Sequence, residues 1–246
     1  MFVPQPYGFD RAHGDRPILP PTYCAPEKGT AMTRPMQIDF VSDVSCPWCV
    51  IGLRGLEQAL RNVGDLVDVD LRFRPFELNP HMPAEGQEIG EHIRQKYGST
   101  REQSAANRTM IRERAAELGF TMTMGEGSRI YNTFDAHRLL HWAGIEGRQR
   151  QLKHKLFEAY FTDGQNPGDV DVLVAAAEAA GLDGAAAREV ITSGCYADNV
   201  RADEQLWRAE GVSAVPTVIV NRKYVITGGQ PPAAFEKALR SIAAEA

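Results

Sequence analysis

The chain has no basic excess. Its 246 residues carry 27 Lys and Arg against 32 Asp and Glu, a net charge of −5 at neutral pH. A nucleic-acid binder needs the opposite balance, usually gathered in a basic patch, and no Lys/Arg-rich run is present. No stretch approaches the roughly 20 consecutive apolar residues of a membrane helix. The first residues, with Pro4, Pro6, Asp10 and Asp15, hold no continuous apolar segment of the secretory kind. The expected compartment is therefore the cytoplasm, with neither membrane nor nucleic acid as partner. Cysteine is scarce too. There are four, Cys24, Cys46, Cys49 and Cys195, too few for a small scaffold stapled by disulfides. A metal reading is weak. Cys46-x-x-Cys49 has no second pair or His-x-His to complete a zinc site, and His137 and His141 lack the His-Glu-x-x-His pattern. No metal and no bound cofactor are expected.

What is present starts with composition. Hydrophobic residues make up 43% of the chain, enough for a real core. Residues 1–35 are rich in Pro and Gly without a period of 2 or 3.6, and read as a mobile N-terminal extension with Met32 or Met36 as candidate starts. Gln37 to Val41 alternates like a strand. Val50, Leu53, Leu56 and Leu60 then recur at helical steps, predicting a helix from about Pro47 to Asn62. Pro47 suits its first turn. Val67 to Phe76 alternates again, which completes a β-α-β unit with a right-handed crossover.

Beyond Pro80 the period is helical. Segments near 88–97, 101–118, 132–142, 148–161, 170–180 and 185–191 are punctuated by Gly119, Gly144, Gly164, Gly181 and Gly194 as stops. A further helix near 198–210 leads out. Thr217 to Val220 and Tyr224 to Thr227 flank a turn at Asn221-Arg222-Lys223, predicting a hairpin, and Pro232 to Ala244 closes as a helix. The fold class is α/β, a four-stranded sheet built from β-α-β and β-β-α halves. The halves are residues 36–82 and 198–246, and residues 83–197 form an all-helical domain inserted between them.

Chemistry concentrates at Cys46-Pro47-Trp48-Cys49. The thiolate, not the thiol, attacks a disulfide. A helix N-terminus favours the thiolate through its unpaired N–H groups and positive dipole end. Cys46 sits at that end and Cys49 one turn deeper, a spacing that brings two sulfurs within bonding range. Cys46 would attack and Cys49 would resolve. Trp48 adds no charge, so the helix end alone supports the thiolate. Val215-Pro216-Thr217 opens a strand, a place where proline costs no ladder bond, and a cis Val215–Pro216 bond would shape the site.

Four segments together resemble the DsbA-like thioredoxin-fold proteins of the FrnE branch. They are Ser45-Cys46-Pro47-Trp48-Cys49, Arg74 to Pro80, Asn132 to Arg138, and Gly211 to Thr217. The resemblance spans about Met36 to Ala244. It implies a thioredoxin fold with a helical insertion, dithiol–disulfide exchange with protein or peptide thiols, and Pro216 as the cis proline. It also implies that backbone near Val215 pairs with an extended substrate. Phe76, Asn79, Asn132, Asp135 and Arg138 become candidates for a substrate cleft, although Asn132, Asp135 and Arg138 could equally brace their helix. The same superfamily holds 2-hydroxychromene-2-carboxylate isomerases and kappa-class glutathione transferases. Those carry serine in place of the first cysteine and bind glutathione, so glutathione is a candidate co-substrate and a glutathione-dependent isomerase or transferase the alternative. Cys195 reads as a small buried core residue, and Gly228-Gly229-Gln230 lacks the pattern of a phosphate loop.

Overall fold

A computed structural model of the chain describes residues 33–125 and 127–245. The expected extension at residues 1–35, with Cys24, lies outside the described residues except at its end. There Arg34 and Pro35 already belong to strand β1 (Arg34–Ser42), because Arg34 pairs with Val67 across the sheet. Helix α1 (Pro47–Asn62) and strand β2 (Val67–Pro75) follow. The chain then forms β3 (Gln87–Glu88), α2 (Ile89–Tyr97), α3 (Arg101–Glu117) and β4 (Arg129–Ile130). Next come α4 (Phe134–Ile145), α5 (Gln149–Phe157), a π-helical turn (Glu158–Thr162), α6 (Val170–Ala179), α7 (Gly184–Thr192) and α8 (Ala197–Ala209). Strands β5 (Thr217–Val220) and β6 (Tyr224–Thr227) and helix α9 (Pro232–Glu245) close it. Among the described residues no helix is long and apolar enough to cross a membrane.

The sheet order is β2-β1-β5-β6, with β1 parallel to β2 and antiparallel to β5. This is the thioredoxin-type α/β arrangement, and β1 is its central strand. Ile38 and Phe40 face a core shared with Leu53 and Leu56 of α1 and Phe235 and Leu239 of α9. Val41 faces the other side, where Trp207 of α8, Val212 and Ile219 pack. Full burial of side chains of this size stabilises by about 1.5–3 kcal/mol each. The hairpin turn places Asn221 and Arg222 at φ 52° and 54°, the left-handed geometry that matches strand twist. Asn221 is tied to β1 through both its backbone N–H and its side chain, which engage Gln37.

The insertion departs from the sequence reading in three ways. It is not all helical, because β3 and β4 pair antiparallel; two-residue strands are too short to leave an alternating pattern. Gly144 does not end α4, which runs on to Ile145; the left-handed stop is Gly147 at φ 68°. The helix expected over 148–161 breaks after Phe157 into the π turn. There Tyr160 and Phe161 turn inward, and the Tyr160 hydroxyl donates to the Arg129 carbonyl at 3.0 Å. Ile111 and Ala115 of α3, Phe120, Phe157, Tyr160 and Phe161 share the core of the sheet and α1. A second core joins α4, α5, α6 and α7.

Candidate functional site

The site begins where β1 ends. The Asp43 carboxylate accepts the Ser45 N–H at 3.3 Å and the Leu78 N–H at 2.7 Å, fixing the turn between β1 and α1. Cys46 is the N-cap of α1 with extended backbone, and Pro47 follows inside the first turn. The Cys49 N–H donates to the Cys46 carbonyl at 3.0 Å. Cys46 is 3% exposed and Cys49 fully buried. Both are free thiols. The Cys46 Sγ donates to the Val215 carbonyl at 3.6 Å, and the Val215–Pro216 bond is cis.

Two glycines let the proline loop come this close. A Cβ on Gly52 would stand 2.8 Å from the Pro216 ring, and one on Gly229 would stand 2.9 Å from the Trp48 carbonyl. Gly228 donates its N–H to the Pro216 carbonyl at 2.8 Å, and the Thr217 hydroxyl donates to the Ala214 carbonyl at 2.8 Å. The Gly228-Gly229-Gln230 segment thus props the cysteine helix against the proline. Over the rim, the Arg114 guanidinium lies 5.5 Å from the Trp48 ring centre. Tyr97, 63% exposed, has its phenol pushed up by partial desolvation and by the charge of Cys46.

The interior behind the sulfurs is polar. Burial pushes the Cys49 thiol well up, and its hydrogen bond to Cys46 and the charge there push the same way. Burial alone would raise Asp43, but His137 and the Leu78 N–H hold its carboxyl below the usual range. His137 Nε2 stands 3.5 Å from the Asp43 carboxylate. Lys153 of α5 is completely buried, and its amine has no hydrogen-bond partner. Sequence reasoning missed Asp43, Lys153 and the two glycines. The signals were there: Gly52 and Gly55 in mid-helix are costly unless something packs close, and Lys153 shares a helical face with Phe157.

Four of the five cleft candidates serve packing and bracing. Phe76 is 4% exposed and packs with Trp207 and Ile219 in the core on the far side of the sheet, because β2 turns it that way. The Asn132 side chain accepts the Phe134 N–H at 2.9 Å and so starts α4. Asp135 pairs with Arg138 at 2.6 Å. Arg138 is buried and donates to carbonyls of Val190, Ile191 and Cys195, closing the end of α7. These three brace the insertion. Asn79 accepts the Lys96 ammonium at 2.7 Å. Cys195 is exposed, not buried, since it lies in the loop after α7 beside the left-handed Gly194. Among the described residues no group of three or more His, Cys, Asp or Glu side chains could hold a metal ion.

A dithiol at a helix N-terminus, facing a cis proline on a four-stranded sheet, defines a thioredoxin-like protein. A family profile described as DSBA-like thioredoxin domain matches residues 37–240, and the chain belongs to that family. It is 29% identical over 205 residues to the uncharacterized protein YwbO of Bacillus subtilis (strain 168), covering 83% of this chain and 96% of that one. A crystal structure of a probable DsbA oxidoreductase from Streptomyces coelicolor superposes with a TM-score of 0.79 at 33% identity, covering 84% of this chain and 89% of that one. The cytosolic disulfide reductase DsbM from Pseudomonas aeruginosa, solved with GSH, shares the fold at TM-score 0.56 and 18% identity, over 83% of this chain and 98% of that one. The family is one of oxidoreductases, in agreement with the FrnE-type resemblance.

Proposed function

We propose that the chain exchanges disulfides with protein or peptide substrates, with Cys46 as the attacking sulfur and Cys49 as the resolving one. The observation that carries this is Cys46 at the N-cap of α1 with its Sγ 3.6 Å from the Val215 carbonyl. An extended substrate pairing with the backbone at Val215 would bring its disulfide to that sulfur. The Cys46 thiolate attacks one substrate sulfur, the substrate S–S bond breaks, and the other sulfur leaves as a thiolate. Cys49 then attacks the Cys46 sulfur. The Cys46–Cys49 bond forms and the second substrate sulfur leaves, so the substrate is reduced by two electrons and the protein oxidised by two. Run backward, the same steps oxidise a dithiol; the reduction potential decides which direction prevails.

This chemistry needs no bound cofactor, because the electrons travel on sulfur. Pro47, Trp48, Val215, Pro216 and Thr217 shape the approach. We propose glutathione as a small-thiol partner and the cytoplasm as the compartment, the latter on the sequence reading alone. The alternative glutathione-dependent isomerase or transferase has only the shared fold in its favour.

Cys46→Ser is expected to reduce exchange with a peptide disulfide to background. Cys49→Ser is expected to trap a Cys46–peptide mixed disulfide visible by mass spectrometry. Full activity in Cys46→Ser would end this reading. Glutathione-dependent turnover that survives loss of Cys49 would establish the alternative.

A further inference from the structure

A hollow of about 360 Å³ opens between α2 and α3, within the size range of small-molecule sites. Gly98, left-handed at φ 66°, ends α2, and Thr100 caps α3 two residues later, so the two helices lie side by side. Arg101, Ser104 and Arg108 recur at steps of three and four and line the hollow from α3. Gly90 and Arg94, four residues apart, line it from α2, and Glu88 and Gly127 complete the lining. No aromatic or aliphatic side chain takes part. A ligand here would be held by charge and hydrogen bonds, not by apolar contact.

The lining holds three guanidinium groups and one carboxylate, a local positive excess in a chain whose net charge is −5. Among the described residues Arg94, Arg101 and Arg108 form no ion pair. The carboxylate is already committed to a helix end. Glu88 Oε1 accepts the Gly90 N–H at 2.8 Å and Oε2 accepts the Glu91 N–H at 2.7 Å, which offsets the positive end of α2. Those two bonds, with Arg94 and Arg108 acting through space, hold its carboxyl below the usual range. The floor gives a second, independent sign. Ser104 is 5% exposed, and its hydroxyl is buried without a hydrogen-bond partner. A buried polar group left without a partner costs stability, and a ligand oxygen would remove that cost. Guanidinium forks meet carboxylate or phosphate oxygens two at a time. Arg101 and Arg108 are seven residues apart, about 10 Å along the helix axis. That spacing favours an anion charged at more than one point.

We propose that this hollow binds a small polyanion, a compound with two or more phosphate or carboxylate groups. Arg94, Arg101 and Arg108 pair with its charges, and the Ser104 hydroxyl donates to one of its oxygens. The site shares no residue with the dithiol and stands whether or not the chain exchanges disulfides.

The test is isothermal titration calorimetry of the full reduced chain with tripolyphosphate, citrate and orthophosphate at physiological ionic strength. One-to-one saturable binding of tripolyphosphate or citrate is expected, tighter than that of orthophosphate. The tighter of the two polyanions tells phosphate from carboxylate recognition. Arg101→Gln and Arg108→Gln are each expected to weaken binding about tenfold, the loss of one charge-assisted pair. Arg112→Gln removes the same charge from an exposed residue of α3 that does not line the hollow, and is expected to bind as the native chain does. Ser104→Ala removes a hydroxyl that has no partner, so thermal stability should hold or rise while affinity falls severalfold. Absence of saturable binding of both polyanions at millimolar concentration would overturn the proposal. Equal weakening by Arg112→Gln and Arg101→Gln would overturn it too, since that marks diffuse attraction to a charged surface. Native affinity in Ser104→Ala would take the ligand out of this hollow.

Discussion

Glu57 and Lys153 are buried charges facing each other's helices across one seam, and the fold treats them in opposite ways. Glu57 is met by Arg150 and His154. Burial opposes its ionisation, yet His154 and Arg150 hold its carboxyl below the usual range. Lys153, between those two partners in sequence, has an amine bonded to nothing. A satisfied buried charge fixes geometry; an unsatisfied one costs stability. The seam thus carries one buried charge with partners and one without.

The largest expected effect sets these two apart by sign. Lys153→Met keeps the volume and removes the charge, and at pH 7 it should stabilise the reduced protein by about 3 kcal/mol, from the fall to about 8. The folded pKa lies below the unfolded one, so between about 8 and about 10.4 the unfolded chain holds more protons and native stability rises with pH. The gap between the variant and the native chain should therefore narrow above pH 8. Cys49, with its thiol pushed up, works the other way, and loss of the Lys153 charge that opposes this rise pushes it further up in the variant, narrowing the gap again at alkaline pH. Urea unfolding at several pH values reads the gap. A variant less stable than the native protein at pH 7 would mean that Lys153 has a partner after all.

Glu57→Gln should act in the opposite direction. It leaves Arg150 and His154 without their carboxylate, at a loss of about 2 kcal/mol, reduced by the exposure of Arg150. The Glu57 contribution is present above its unfolded pKa near 4.3 and is lost as pH falls through the lower folded value. Acid unfolding of native and Glu57→Gln chains should converge there. Equal stability of the two at pH 7 would mean that these partners do not hold the seam.

The contrast also shows what a sequence can say. Cys46, Cys49 and Pro216 were legible because local rules announce them: a strand, a proline-opened helix, a β-branched hairpin. The period-2 and period-3.6 segments of the sheet half were legible for the same reason. The ladder of β3 and β4 has too few residues to carry a period. Asp135 and Arg138 fit one helical face as expected, but only three dimensions show that the face meets the end of α7. Lys153 and Lys155 look alike in Leu152-Lys153-His154-Lys155-Leu156, yet one is buried and the other pairs with Glu158 near the surface. Only the phase shared with Phe157 separates them. A lysine on an apolar helical face is a local conflict between residue type and surroundings.

The smallest effect tests whether geometry at the proline loop, rather than stability, governs exchange. Gly52→Ala would place its Cβ 2.8 Å from the Pro216 ring, and Gly55→Ala would place one 2.8 Å from the Gln230 carbonyl. Each gains up to about 1 kcal/mol of helix propensity and loses about 1–3 kcal/mol to overpacking, for a similar net loss of about 1 kcal/mol. They differ in what they displace. The first pushes the loop whose Val215 carbonyl faces the Cys46 sulfur; the second pushes backbone beyond β6. Gly52→Ala should slow Cys46 attack severalfold while Gly55→Ala leaves it near native, with thermal unfolding showing matched stabilities. Equal slowing in both would trace the effect to a loosened α1, and the close approach of Gly52 to Pro216 would then be packing alone.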